Sequence, residues 1–290
     1  MHFSIHYTTE YHYAAAVSDN LNALRVRPAT TATQRCDEFH VRIDPETRLG
    51  RHADYFGTEV IEFGISKPHT ALTIDVRARV VTTDPAPAPD PSWEQLRTPA
   101  YLEAAGEYLL GSIPEPPAGA LDELNHLQRD ATPLRSAERL CQAIPDTFAY
   151  RRGATYVGSS VADLLEIGAG VCQDFVHLAL ILLRRGGIAS RYVSGYLFAA
   201  PADGGDDSVE VDTHAWLEVL LPGAGDRGEP VWVGIDPTNR IAANERYVKI
   251  GHGRHYADVP PIKGVYRGGP SELTARVVMT RLDPATSARA

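Results

Sequence analysis

Between Val171 and Ile188 the apolar residues change their rhythm, and that change constrains the fold of this 290-residue chain more than any other feature. Val171, Phe175, Leu178 and Leu182 recur at helical spacing, and Gly186-Gly187 ends the run after Arg185. Beyond the glycines the period becomes two. Ile188–Phe198, Thr213–Leu221 and Val231–Asp236 then read as strands, separated by a polar, acidic insertion at Ala199–Val211 and a Gly-rich turn at Pro222–Pro230. A helix followed at once by strands that turn back on one another predicts a helix packed on an antiparallel sheet, an α+β arrangement.

The flanking segments add to this unit. Leu72, Ile74, Val76, Ala78 and Val80 alternate with Thr73, Asp75, Arg77 and Arg79, and Phe39, Val41 and Ile43 alternate with His40, Arg42 and Asp44. Residues 1–83 are therefore expected to form a small antiparallel β-sandwich domain. The proline-rich run over 84–92 is a stiff linker, which leaves 93–290 as a second domain. That domain should open with short helices at Ala100–Leu110, along Leu134, Ala137, Cys141 and Ile144 with Pro133 in the first turn, and at Val161–Ile167; a last strand is expected at Glu272–Met279.

A formal charge of -9 offers no basic face for phosphates, so nucleic acid is not expected as a partner. Cys36, Cys141 and Cys172 are odd in number and far apart, which suits a reducing compartment rather than a disulfide framework. With no leader pattern and no apolar run long enough to span a bilayer, a cytoplasmic protein without membrane contact is expected. His2, His6, His12 and His40 lack metal-ligand spacing, and Cys141 belongs to an apolar helical stripe.

Cys172 is different because Gly168 and Gly170 place it at the start of the central helix. Unpaired N–H groups and the positive end of the helix dipole favour a thiolate there, the form that attacks a carbonyl. By itself an isolated Cys is a small buried hydrophobe. A nucleophile also needs a base. His177, five residues along the helix, lies roughly 140° around the axis from Cys172 and suits packing or a supporting hydrogen bond instead. His214 and Asp236 fall on one face if their strands pair as a hairpin, and directly opposite positions would bring their Cβ atoms to about 4.5–5.5 Å. Each has an ordinary role, His214 on a solvent face and Asp236 as a turn former before Pro237. Together with Cys172 they compose a nucleophile, a base and an orienting carboxylate.

The segments Gly170-Val171-Cys172-Gln173-Asp174-Phe175, Arg191-Tyr192-Val193-Ser194-Gly195-Tyr196, Thr213-His214-Ala215-Trp216-Leu217-Glu218 and Gly234-Ile235-Asp236-Pro237-Thr238-Asn239 resemble, in order, the bacterial transglutaminase-like proteins of the papain-like cysteine-enzyme superfamily. The first 83 residues are similar to the N-terminal domain of those proteins, and Gly253–Pro261 also resembles the family. The resemblance implies an N-terminal β domain followed by a papain-like, transglutaminase-like core. It assigns Cys172 as nucleophile, His214 as general base and acid, and Asp236 as its orienting group. The implied reaction is thiol-dependent acyl transfer at a peptide or protein amide, by hydrolysis or transfer to a primary amine. Gln173, Tyr150, Tyr156 and Trp216 are candidates for the second oxyanion donor or for substrate contact, since no Trp lies close upstream of Cys172 where animal members carry one. Asp174 suits a helix-dipole partner.

No cofactor or metal is expected, because the acidic insertion around Asp203, Asp206 and Asp207 lacks calcium-loop spacing. It would instead attract cationic substrates. Two alternatives use the same residues differently: a zinc site through Cys172, His214 and Asp236, or a binding module in which they are idle.

Overall fold

The computed structural model describes residues 1–125, 129–199, 207–223 and 228–283. In chain order, five strands come first: β1 (His2–Leu24), β2 (Gln34–Asp44), β3 (Leu49–Ala53), β4 (Glu59–Ile65) and β5 (His69–Thr82). Helices α1 (Pro99–Leu109), α2 (Asp122–Asn125) and α3 (Pro133–Thr147) follow. Around the site lie β6 (Ala149–Tyr150), α4 (Val161–Ile167), β7 (Ala169–Gly170) and α5 (Cys172–Arg185). The remainder is β8 (Ser190–Leu197), β9 (Ser208–Val211), β10 (Thr213–Leu221), β11 (Val231–Asp236), β12 (Ile241–Ala242), β13 (Tyr247–Gly253), β14 (Ile262–Arg267) and β15 (Ser271–Arg281). Among the described residues no helix is long and apolar enough to cross a membrane.

Alternation sets the first sheet. Phe3, Ile5 and Tyr7 of β1 and Leu72, Ile74, Val76, Ala78 and Val80 of β5 are all buried on one side. The first half of β1 pairs antiparallel with β5 and β15; after a register break near Val17 its second half pairs with β4 and β14. Breaks of this kind bend a strand, and one long β1 thereby serves both halves of a curled eight-stranded sheet. β9, β14 and β15 come from beyond the proline-rich segment, so strands on both sides of it build this sheet. The last expected strand does form, and its partners are β1 and β9. The acidic insertion ends in β9, an edge strand on β15, with Asp207 paired to Arg281 at 2.5 Å. Asp203 and Asp206 lie outside the described residues.

The second sheet is antiparallel in the order β12-β11-β10-β8-β13. Phe175, Leu178, Ile181 and Leu182 of α5, and Leu134, Ala137, Cys141 and Ile144 of α3, share one core with Ala215, Leu217, Val219, Leu221 and Ile235 of this sheet. Local signals start these helices: the Thr132 hydroxyl accepts the Arg135 N–H at 3.2 Å ahead of α3, and Ser160 and Asp163 cap α4 reciprocally. A second core joins Tyr196, Phe198, Val248 and Ile250 to Phe3, Ile5 and their neighbours in the first sheet. On the other face of β10, Trp216 is buried against Val193 and Tyr247. Both faces of this strand are therefore covered, so His214 does not take the solvent-face role it would have taken alone.

β13 was not foreseen. Gly251, His252, Gly253 and Lys249 dilute its apolar pattern, and a bulge between Lys249 and Gly251 breaks its period. Its close approach to β8 explains Gly195: a Cβ there would meet the Val248 carbonyl oxygen at 2.1 Å and the Trp216 ring at 2.7 Å.

Candidate active site

Gly168, in the left-handed conformation at φ 68°, ends α4, and β7 then runs beside β6 so that Tyr150 pairs with Gly170. Two residues later Cys172 opens α5, partly exposed at the helix tip. Asp174 locks this entry. Its carboxylate accepts the Val171 N–H at 2.8 Å and the Thr155 hydroxyl at 2.6 Å, the first-turn role expected of it. Burial pushes the Asp174 carboxyl up despite these bonds.

β10 and β11 pair with Leu217 opposite Ile235 and Glu218 opposite Gly234. That register puts Asp236 across from Trp216, so His214 and Asp236 are diagonal neighbours rather than directly opposite. Alternation fixes which face a residue takes but not where it falls along the partner strand. A diagonal step is within reach of long side chains, and His214 donates from Nε2 to Asp236 Oδ2 at 2.7 Å.

Asp236 is fully buried and both oxygens are occupied. Oδ1 accepts the backbone N–H groups of Thr238 at 2.7 Å and Asn239 at 3.2 Å, the expected turn-forming role. Oδ2 accepts His214, the Asn239 side-chain amide at 2.7 Å and the Tyr247 hydroxyl at 2.8 Å. Burial alone would raise this carboxyl; the hydrogen bonds, His214's foremost, hold it below its ordinary value. For His214 burial works toward the neutral ring, but hydrogen bonds to Asp236 and to Cys172 outweigh it and raise the imidazole to about 9. With Nε2 committed to the carboxylate, Nδ1 is the nitrogen free to exchange a proton with sulfur.

The structure thus brings Cys172, His214 and Asp236 together, with the imidazole between sulfur and carboxylate. The three do not converge on one point as zinc ligands would, and among the described residues no group of three or more His, Cys, Asp or Glu does. Trp216 packs beside His214, ring centroids 6.3 Å apart and nearly parallel. Tyr150 is half-exposed; burial raises its phenol first and the neighbouring Cys172 second. Gln173 turns its amide toward the Val157 carbonyl at 3.4 Å, and Tyr156 projects into solvent. His177 has the packing role expected of it: burial pushes it down to about 3, and its neutral Nε2 accepts the Tyr256 N–H at 3.2 Å. Sequence reasoning missed Tyr247, which lies on the unforeseen β13. Asn239 carries no local signal of its own: the Asx turn is announced by Asp236, and the Asn239 amide joins it only through the fold.

Residues 124–237, which contain all three side chains, match the model of the transglutaminase-like superfamily, and residues 3–81 match the bacterial transglutaminase-like N-terminal region. An uncharacterised protein of Mycobacterium leprae is 35% identical over 284 residues, covering 95% of this chain and 97% of that protein. The chain belongs to the transglutaminase-like superfamily. A protein-glutamine gamma-glutamyltransferase of Pseudomonas aeruginosa is 28% identical over 193 residues, which are 62% of this chain and 28% of that much longer protein. The crystal structure of a candidate cysteine protease from Cytophaga hutchinsonii superposes with a TM-score of 0.74 at 22% identity, over 98% of this chain and 91% of that one. The mixed α/β transglutaminase-like architecture is common to both.

Proposed function

We propose that this transglutaminase-like protein is an enzyme of thiol-dependent acyl transfer at peptide or protein amides. The observation that carries this reading is the His214–Asp236 hydrogen bond at 2.7 Å, with the same imidazole hydrogen-bonded to Cys172 at a helix tip. An imidazole raised to about 9 is protonated at neutral pH, which suits an ion pair with a Cys172 thiolate. In the first step sulfur attacks the amide carbonyl and a C–S bond forms. The oxyanion lies near the Cys172 backbone N–H, one of the first-turn donors without an intrahelical acceptor. His214 then gives its proton to the leaving nitrogen, the C–N bond breaks, and a thioester remains. In the second step His214 takes a proton from water or from a primary amine, which attacks the thioester and restores the thiolate. Water makes the protein a cysteine peptidase or amidase; an amine makes it a transglutaminase.

Tyr150, beside Cys172 and half-exposed, is the donor best placed for a second contact to the oxyanion or the substrate. The test is a glutamine-containing peptide library incubated with and without a primary amine, scoring ammonia release, amine incorporation and peptide cleavage. Product formed by the parent and abolished in Cys172→Ala is expected. Product formed equally by both, or by neither across the library, would overturn the reading.

A further inference from the structure

A cleft of roughly 620 Å³ opens between the first sheet and β13, and none of Cys172, His214 and Asp236 lines it. Its two walls are built alike. On the first-sheet side Arg27 and Arg51 share one carboxylate, Glu59, at 2.6 and 3.2 Å. On the other side Arg191 and Lys249 share Glu218, at 2.6 and 2.7 Å. Two cations against one carboxylate leave a surplus of one positive charge on each wall. Arg191 and Lys249 line the cleft, and their side chains are buried to the same degree as that of Glu218. The Thr58 hydroxyl, on the first wall and buried, has no hydrogen-bond partner among the described residues.

We propose that this cleft binds a small molecule carrying two anionic groups, carboxylates or phosphates, one seated on each wall. A guanidinium fork already sharing its carboxylate keeps further N–H groups for a second oxyanion; the first wall carries two such forks, Arg27 and Arg51, and the second carries Arg191 beside Lys249. His252 adds a neutral donor. Burial, helped by Lys249 and Arg191, pushes its imidazole down to about 3, and its Nε2 accepts from Arg191 at 3.0 Å, so Nδ1 holds the proton. Lys249 is itself lowered to about 8 by burial, even beside Glu218. A half-compensated cation of this kind gains from a second anion. A ligand with anionic groups at both ends also bridges the first sheet and the second, and binding would stiffen their junction.

The probes are pyrophosphate and succinate, titrated calorimetrically into the full chain, with acetate and with sodium chloride at matched ionic strength as controls. Saturable binding of one or both probes, at least tenfold tighter than acetate, is expected, and which of them binds tells phosphate from carboxylate. Arg51→Gln, at a half-exposed position, should weaken binding at least tenfold, and Lys249→Met likewise if it folds. Cys172→Ala should bind as the parent does, which separates this site from the acyl-transfer reading. Binding of both probes no tighter than acetate, heat accounted for by chloride, or affinity unchanged in Arg51→Gln would overturn the proposal.

Discussion

His214 and Glu218 stand four residues apart on the same face of β10, and each anchors a buried charge cluster of a different kind. Glu218 is held down to about 2: burial acts against its charge, but Lys249 and Arg191 overcome it. Asp236 is held below its ordinary value in the same way, chiefly by His214. In both places a carboxylate stays ionised indoors because enough donors surround it. The difference lies in the partner. Lys249, though lowered to about 8, is a cation that shares Glu218 with the Arg191 guanidinium. His214 ordinarily titrates near neutrality and also touches the Cys172 sulfur, so its proton has somewhere to go. One strand therefore carries a pinned cluster and one able to pass a proton, and the distinction is which base sits beside the carboxylate.

The sharpest way to break this comparison is to neutralise each carboxylate in turn. Asp236→Asn should cost turnover on the order of 10³- to 10⁴-fold, as loss of an orienting carboxylate does elsewhere. Glu218→Gln should leave turnover of the folded protein near the parent's. It strands two cations, however, and should lower stability by roughly 3–5 kcal/mol, read from denaturant unfolding. If Glu218→Gln damages turnover as severely as Asp236→Asn, the two clusters are not functionally distinct.

Titration separates them further, because their contributions disappear at opposite ends of the pH scale. His214 is raised from 6.5 to about 9, so its stabilisation is complete below pH 6.5 and is lost as pH rises through 9. The full effect is about 3 kcal/mol at most. Glu218 is lowered from 4.5 to about 2, so its stabilisation is present above pH 4.5 and is lost as pH falls through 2. Melting temperature against pH should show both limbs. Asp236→Asn should remove the alkaline limb, along with the acid-side contribution of the lowered Asp236 carboxyl itself, and turnover in the parent should fall on the alkaline side near pH 9. An alkaline limb that survives Asp236→Asn would mean that another group sets it.

How much of this was legible depended on whether a pattern ran unbroken. α5, β10 and β11 were readable to their end residues because nothing interrupts their periods. The shared face of His214 and Asp236 follows from those periods alone. Their diagonal offset does not, since alternation is blind to where a residue falls along the partner strand. The first sheet was recognisable strand by strand from residues such as Leu72 and Ile74. Its completion by β14 and β15 was not, because the edge on which a strand docks is a long-range choice that leaves no local mark. Tyr247 was hidden for a third reason: the bulge and glycines of β13 erase the alternation that would have revealed a strand.

Tyr247 also supplies the smallest and most discriminating test. Its hydroxyl donates to Asp236 Oδ2 at 2.8 Å, while its ring packs edge-on against Trp216 at 5.3 Å. Tyr247→Phe keeps the ring and removes the donor. A single lost hydrogen bond of this sort is worth about 1 kcal/mol, so turnover should fall roughly fivefold, with the folded state little changed. The pH profile decides what the bond does. With one donor gone, the Asp236 charge is less satisfied and acts more strongly on His214, so the alkaline limb should move to higher pH even as turnover drops. A purely packing role would lower stability and leave that limb where it was. Glu218→Gln, four residues along β10 from the imidazole, should not move it either. A limb displaced by Tyr247→Phe and unmoved by Glu218→Gln would place the tyrosine in the proton-passing cluster and Glu218 outside it.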